Sequence, residues 1–88
     1  MTPGNGHICP VCGYDDLQEA PYDRDGNPSY EICRCCGYEF GYDDGSERVG
    51  FVEYRTKWVA GGATWFKETA RPSDWNLQSQ LERIGVRL

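Results

Sequence analysis

Apolar positions in this 88-residue chain change their spacing half-way along. In the first half they stand singly or in pairs between turn formers; in the second they recur at helical intervals. Phe51, Tyr54 and Trp58 fall at i, i+3 and i+7, which predicts one face of a helix over Glu47 to Ala60. Ser46 or a neighbouring acid can cap its start, and Gly61-Gly62 ends it. Ala63 to Phe66 reads as a further helical turn before Arg71-Pro72 breaks the path. Leu77, Leu81 and Ile84 mark a last helix from about Asn76 to Ile84, stopped by Gly85. The aromatic set Phe51, Tyr54, Trp58, Trp65, Phe66 and Trp75 is expected to pack as core rather than stand out as a ligand platform.

The first half reads differently. Met1 to Gly6 is composed of turn formers and predicts a loose tail. Pro21 to Pro28 is a turn cluster containing Asp25-Gly26, so Leu17 to Tyr22 and Ser29 to Ile32 are expected to pair as a short hairpin. Tyr38 to Tyr42 alternates aromatic with small or polar residues, as a short strand does, and Asp43-Asp44-Gly45 ends it. Asp23-x-Asp25-x-Asn27 looks like a calcium loop but fails as one. Pro28 stands where glycine is needed, and Arg34 where the bidentate glutamate belongs.

Two near-copies give this half its chemistry. Ile8-Cys9-Pro10-Val11-Cys12-Gly13-Tyr14-Asp15 and Ile32-Cys33-Arg34-Cys35-Cys36-Gly37-Tyr38-Glu39 both read Ile-Cys-x-x-Cys-Gly-Tyr-acid. A Cys-x-x-Cys turn brings two sulfurs to one ion, and the glycine after it lets the backbone fold close to them. The two turns form C-x2-C-x20-C-x2-C, the spacing of a zinc site. Cys9, Cys12, Cys33 and Cys36 are therefore the expected metal ligands. Cys35 aligns with Val11, where the side chain points away from the ion, and reads as a packing residue; the competing reading makes it a ligand. His7 reads as an exposed residue or an accessory ligand.

Size and charge sharpen the picture. A domain this small buries only about 60% of its unfolded surface and needs a staple. An odd number of cysteines argues against a closed disulfide framework. Met1 to His7 has no signal-peptide pattern, and no segment is long enough to span a membrane, so a reduced cytoplasmic setting is expected. Residues 1–47 hold ten acids against Arg24 and Arg34, a net of −8, whereas residues 48–88 hold four acids against seven bases. Zinc with four thiolates would take the first half to near −10. Such a surface repels phosphate and favours a basic protein partner. The bases of the second half are spread along the chain, which disfavours nucleic acid.

The fold expected is thus a small α+β metal-stapled domain. A tail over 1–7 leads into a zinc-ribbon-like lobe over 8–45, and a two-helix part over 46–88 packs on it. With one histidine and no nucleophile in a catalytic setting, no enzyme is expected, because four sulfurs close the coordination sphere. One zinc ion is the expected cofactor. Iron is the alternative, since an S4 site holds either and Cys9-Pro10-Val11-Cys12-Gly13-Tyr14 looks like a rubredoxin knuckle. A rubredoxin-like iron electron carrier is accordingly the competing function.

Over roughly residues 8–84 the chain resembles small bacterial cysteine-rich proteins of the CPCC type. The resemblance rests on both knuckles and on Tyr38 to Asp44. It extends to Tyr54-Arg55-Thr56-Lys57-Trp58, Gly62 to Phe66, Trp75-Asn76-Leu77 and Gln80-Leu81. The name-giving Cys-Pro-Cys-Cys is Cys9-Pro10-Val11-Cys12 in one knuckle and Cys33-Arg34-Cys35-Cys36 in the other. The resemblance implies a zinc-ribbon-like domain in a bacterial cell, and some such proteins look like immunity proteins of toxin systems.

Overall fold

The computed structural model describes residues 6–46 and 48–87; of the tail expected over 1–7, residues 1–5 lie outside them, as do Glu47 and Leu88, while His7 is not loose but pairs with Leu17. Two α-helices occur among the described residues: α1, Phe51–Ala60, and α2, Leu77–Glu82. A π-helical turn occupies Tyr42–Ser46 and a 3-10 turn Glu68–Ala70. No helix among the described residues is long and apolar enough to cross a membrane.

The expected hairpin does not form, and the described residues contain no β-strand. Three isolated antiparallel bridges replace it: His7 with Leu17, Tyr22 with Pro28, and Ile32 with Glu39. The reason lies in where the backbone donors go. Leu17 spends its N–H and carbonyl on His7, at 3.0 and 2.8 Å. The next two N–H groups, of Gln18 and Glu19, donate to the two carboxylate oxygens of Glu31 at 3.0 and 3.1 Å. A side chain has taken the place of a partner strand. Pro21 and Pro28 flank the turn and have no N–H to offer a ladder. The turn itself forms: the Asp23 carboxylate accepts from the N–H groups of Asp25 and Asn27, each at 2.9 Å.

The expected strand over Tyr38 to Tyr42 is also replaced. Asp43 accepts from the Glu39 N–H and Asp44 from the Gly41 N–H, both at 2.7 Å. Carboxylates that capture nearby backbone donors favour turns over extended chain. Helix α1 starts later than Glu47 for a related reason. The Tyr38 hydroxyl donates to the Val49 carbonyl at 2.6 Å, and the Val49 N–H donates to the Asp43 carbonyl. Residues 48–50 are thereby held as a strap, and Gly50 is the N-cap, without a capping side chain.

Both helices end in one way. After α1, the Gly62 N–H bonds the Val59 carbonyl and the Ala63 N–H bonds the Trp58 carbonyl; after α2, Gly85 bonds Glu82 and Val86 bonds Leu81. These are Schellman stops, each with a left-handed glycine, at φ +102° for Gly62 and +74° for Gly85. The start of α2 is capped by Asn76, which accepts from the Ser79 N–H at 2.9 Å.

The core runs from the cysteines into the aromatics. Tyr38 and Phe40 are fully buried and pack with Phe51 and Tyr54 on one side of the lobe. On the other side Tyr14, Trp65 and Trp75 stack edge to face. Of the aromatic set expected inside, Phe66 is the exception, at 63% exposed. The turn expected over Ala63 to Phe66 is not helical either. Phe66 and Lys67 point their N–H groups at the carbonyls of Cys35 and Arg34, at 2.9 and 2.8 Å, which requires extended chain there.

Candidate metal centre

Each knuckle is built by the same two backbone hydrogen bonds. The Cys9 N–H donates to the Tyr14 carbonyl and the Gly13 N–H to the Cys9 carbonyl, at 2.7 and 2.8 Å. The second knuckle repeats this with Cys33 to Tyr38 and Gly37 to Cys33, at 3.0 and 2.9 Å. Gly13 and Gly37 close the turns at φ +85° and +83°, a region that L-residues rarely enter. Equal spacing in sequence has produced equal geometry.

The knuckles face each other so that the first cysteine of one meets the second of the other. Cys9 Sγ lies 3.9 Å from Cys36 Sγ, and Cys12 Sγ lies 3.7 Å from Cys33 Sγ. All four sulfurs fall within 4.8 Å of one another, and all four residues are buried. These separations are too long for disulfides, and the cysteines are free thiols. They suit a central ion: sulfurs ~2.3 Å from a tetrahedral centre stand about 3.8 Å apart.

The electrostatics of the cluster favour the same occupant. Hydrogen bonding among the sulfurs, with Cys12 foremost, pushes the Cys9 and Cys36 thiols above the ordinary range. Burial, and then Cys33, pushes Cys12 up. The hydrogen bond from Cys12 draws Cys33 down. Four buried sulfurs this close do not ionise together unless a cation supplies compensating charge.

Cys35 and His7 stand apart from this group. Cys35 is fully buried and its sulfur accepts from Gln80 Nε2 at 3.2 Å. His7 is exposed and is held through its backbone by Leu17.

Folding of the knuckles turns their peptide carbonyls outward, and the second half of the chain satisfies them. In the first knuckle Arg55 donates to the carbonyls of Val11 and Pro10 at 2.6 and 3.0 Å. Gln80 Nε2 donates to Cys12 at 2.9 Å and Arg83 to Gly13 at 3.0 Å. In the second knuckle the donors are the Lys67 and Phe66 backbone N–H groups, to Arg34 and Cys35, and the Tyr54 hydroxyl, to Cys36 at 3.0 Å. The sequence pattern does not assign Arg55, Gln80 or Arg83 to the knuckle carbonyls, and it places Tyr54 and Phe66 only in the aromatic core. The available signal was a polar residue on an apolar helical face: Arg55 is four residues after Phe51, and Gln80 is three after Leu77.

Two proteins of Bacillus subtilis (strain 168) are similar to this chain. The uncharacterized protein YozI is 31% identical over 83 residues, covering 77% of this chain and 65% of YozI. The uncharacterized protein YoaQ is 35% identical over 70 residues, covering 64% of this chain and 59% of YoaQ. The chain thus spans less than two thirds of the length of either relative. No family model matches it, and no solved structure does.

Proposed function

We propose that this chain is a non-catalytic zinc protein in which Cys9, Cys12, Cys33 and Cys36 hold one ion, and whose acidic metal lobe engages a basic protein partner. The carrying observation is the sulfur arrangement. Four buried thiols at tetrahedral spacing, with no ligand position left open, fit a structural site rather than a catalytic one. The ion would supply cohesion and negative charge: four thiolates around Zn²⁺ leave a net −2 in the half of the chain that is already acidic. Within this reading an immunity-type or adaptor role matches the charge, since a partner with a basic surface is the one such a lobe attracts.

Zinc is preferred over iron because the second half covers the outer carbonyls of both knuckles. An electron carrier needs its sulfurs approachable by a redox partner. The deciding experiment is elemental analysis of the purified protein with its absorption spectrum. One zinc per chain and no visible colour is expected. One iron with strong visible bands would overturn the proposal in favour of the electron carrier.

A further inference from the structure

Residues 31–33 run antiparallel beside residues 38–40. Ile32 pairs with Glu39, the Phe40 N–H donates to the Glu31 carbonyl at 3.3 Å, and the Cys33 N–H to the Tyr38 carbonyl at 3.0 Å. Paired residues share a face, and successive residues alternate between faces. Phe40, opposite Glu31, is fully buried, so Ile32 belongs to the outer face, where it is 39% exposed. Tyr30 continues that face and is 62% exposed. Gly41 lies beneath it: a side-chain carbon there would stand 2.7 Å from Tyr30 Cε1 and 2.6 Å from the Pro28 ring. Tyr42, the next residue, is 47% exposed.

Tyr30 reaches this position at φ +60°, a left-handed conformation that is an outlier for a bulky residue. Burial does not offset the strain, because most of the ring is in solvent. A ring held outward on strained backbone points to a contact outside the chain. The charges around it have one sign. Residues 28–44 hold Glu31, Glu39, Asp43 and Asp44 against Arg34, whose side chain lies by Tyr14 in the first knuckle. The three ion pairs among the described residues involve none of these four acids. Asp44 accepts from the N–H of Gly41, the residue under Tyr30, and Asp43 from the Glu39 N–H, each through one oxygen at 2.7 Å. A second oxygen on each carboxylate is left to accept from a cation.

We infer that the outer face of Tyr30, Ile32 and Tyr42 docks an arginine side chain of a basic partner protein, with the guanidinium stacked on the Tyr30 ring and bonded to Asp44. Charge selects the occupant. A second copy meeting this face with its own would set the same four acids against each other, whereas a basic partner neutralises them. The exposed ring selects arginine, whose planar group stacks on aromatic faces and forks to a carboxylate; lysine brings only a point charge. This inference rests on the reading of the acidic lobe as a surface for a basic protein and gives that reading its contact.

The test is an NMR titration of the metal-loaded protein that follows its backbone amides. The probes are end-blocked hexapeptides that alternate glycine with arginine, with lysine or with glutamate. The arginine peptide is expected to shift the amides of Tyr30, Ile32, Gly41 and Tyr42 with a Kd of about 0.1–1 mM at low salt, weakening as salt is added. The lysine peptide binds about threefold to tenfold more weakly, and the glutamate peptide does not bind. Glycine suits the left-handed φ, so Tyr30→Gly keeps or raises the thermal midpoint while arginine-peptide binding weakens by about threefold to tenfold. Asp44→Asn keeps an acceptor for the Gly41 N–H, loses the charge, and weakens binding to a similar degree. Unchanged binding in Tyr30→Gly, or equal binding of the two basic peptides, would overturn the inference. A clearly lower midpoint for Tyr30→Gly would mark the ring as packing and overturn it as well. Shifts of the same amides on raising the protein concentration alone would overturn the partner in favour of a second copy. Arginine-peptide shifts confined to other parts of the acidic lobe would overturn this surface and leave the basic-partner reading standing; no binding of either basic peptide would overturn both. The metal is read separately by elemental analysis.

Discussion

Gly13 and Gly37 occupy the same place in the two knuckles, yet their surroundings differ. A side-chain carbon on Gly13 would lie 2.1 Å from the Gln80 carbonyl oxygen, whereas one on Gly37 would meet the ring of Phe66 at 3.1 Å. Backbone cannot move aside cheaply, but an exposed ring can. Alanine at either position pays about 1–2 kcal/mol for its left-handed φ; at Gly13 the overlap with α2 adds to that. Urea denaturation should therefore find Gly13→Ala clearly less stable than Gly37→Ala. Equal losses would mean that α2 does not rest on the first knuckle. Tyrosines 38 and 54 give a second test at this scale. Burial, with smaller contributions from Asp43 for Tyr38 and Cys36 for Tyr54, pushes both hydroxyls up to about 12. An unfolded tyrosine loses its proton near 10, so the contribution of these two groups to stability is fully present below that pH and is lost between 10 and 12. Absorbance at high pH should show these two ionising last.

Helix α2 has only six residues, too few to hold together without tertiary contacts. What fixes it is Gln80, which donates to Cys12 and Cys35 and accepts from Trp75. In α1 the equivalent anchor is Arg55. Arg55→Met should cost about 1–3 kcal/mol, because two carbonyls are left without donors. Lys57→Met, which removes only an exposed 3.6 Å pair with Glu53, should change stability by less than about 0.5 kcal/mol. Thermal unfolding of the two variants side by side would settle the order. The helices were legible because their signals are local: apolar spacing, and Gly62 and Gly85 as stops. The hairpin was misread because its fate is non-local. Nothing in Leu17 to Tyr22 reveals that the carboxylate of Glu31 takes two of its donors. The half-buried Arg55 and the buried Gln80 were hidden for the same reason, as their partners lie 44 and 68 residues away.

For the whole molecule, the proposed zinc site would decide whether there is a fold. Structural zinc contributes an apparent 10–16 kcal/mol in small domains, comparable to the entire stability of about 5–15 kcal/mol expected of a native protein. Stripping the ion with a strong chelator should abolish the near-ultraviolet circular dichroism of the packed aromatics in one cooperative step. Substitution of a proposed ligand, such as Cys36→Ser, should do the same and reduce zinc below one per chain. Cys35→Ser should keep the zinc, losing only packing; if it lost the metal, the assignment of ligands would be wrong. The four-sulfur set was readable from the chain alone because the motif repeats, and a repeat of matched turns dictates that they meet around one point.

The two knuckles differ in what docks them, and this bears on how the protein tolerates sequence drift. The first is gripped by the side chains of Arg55, Gln80 and Arg83, each of which one codon change can remove. The second is gripped mainly by the main-chain N–H groups of residues 66 and 67, which every substitution except proline preserves. Variation among descendants of this chain should therefore be freest at Phe66 and Lys67, although they sit against the metal lobe, and most restricted at three polar residues of the helical half that look replaceable.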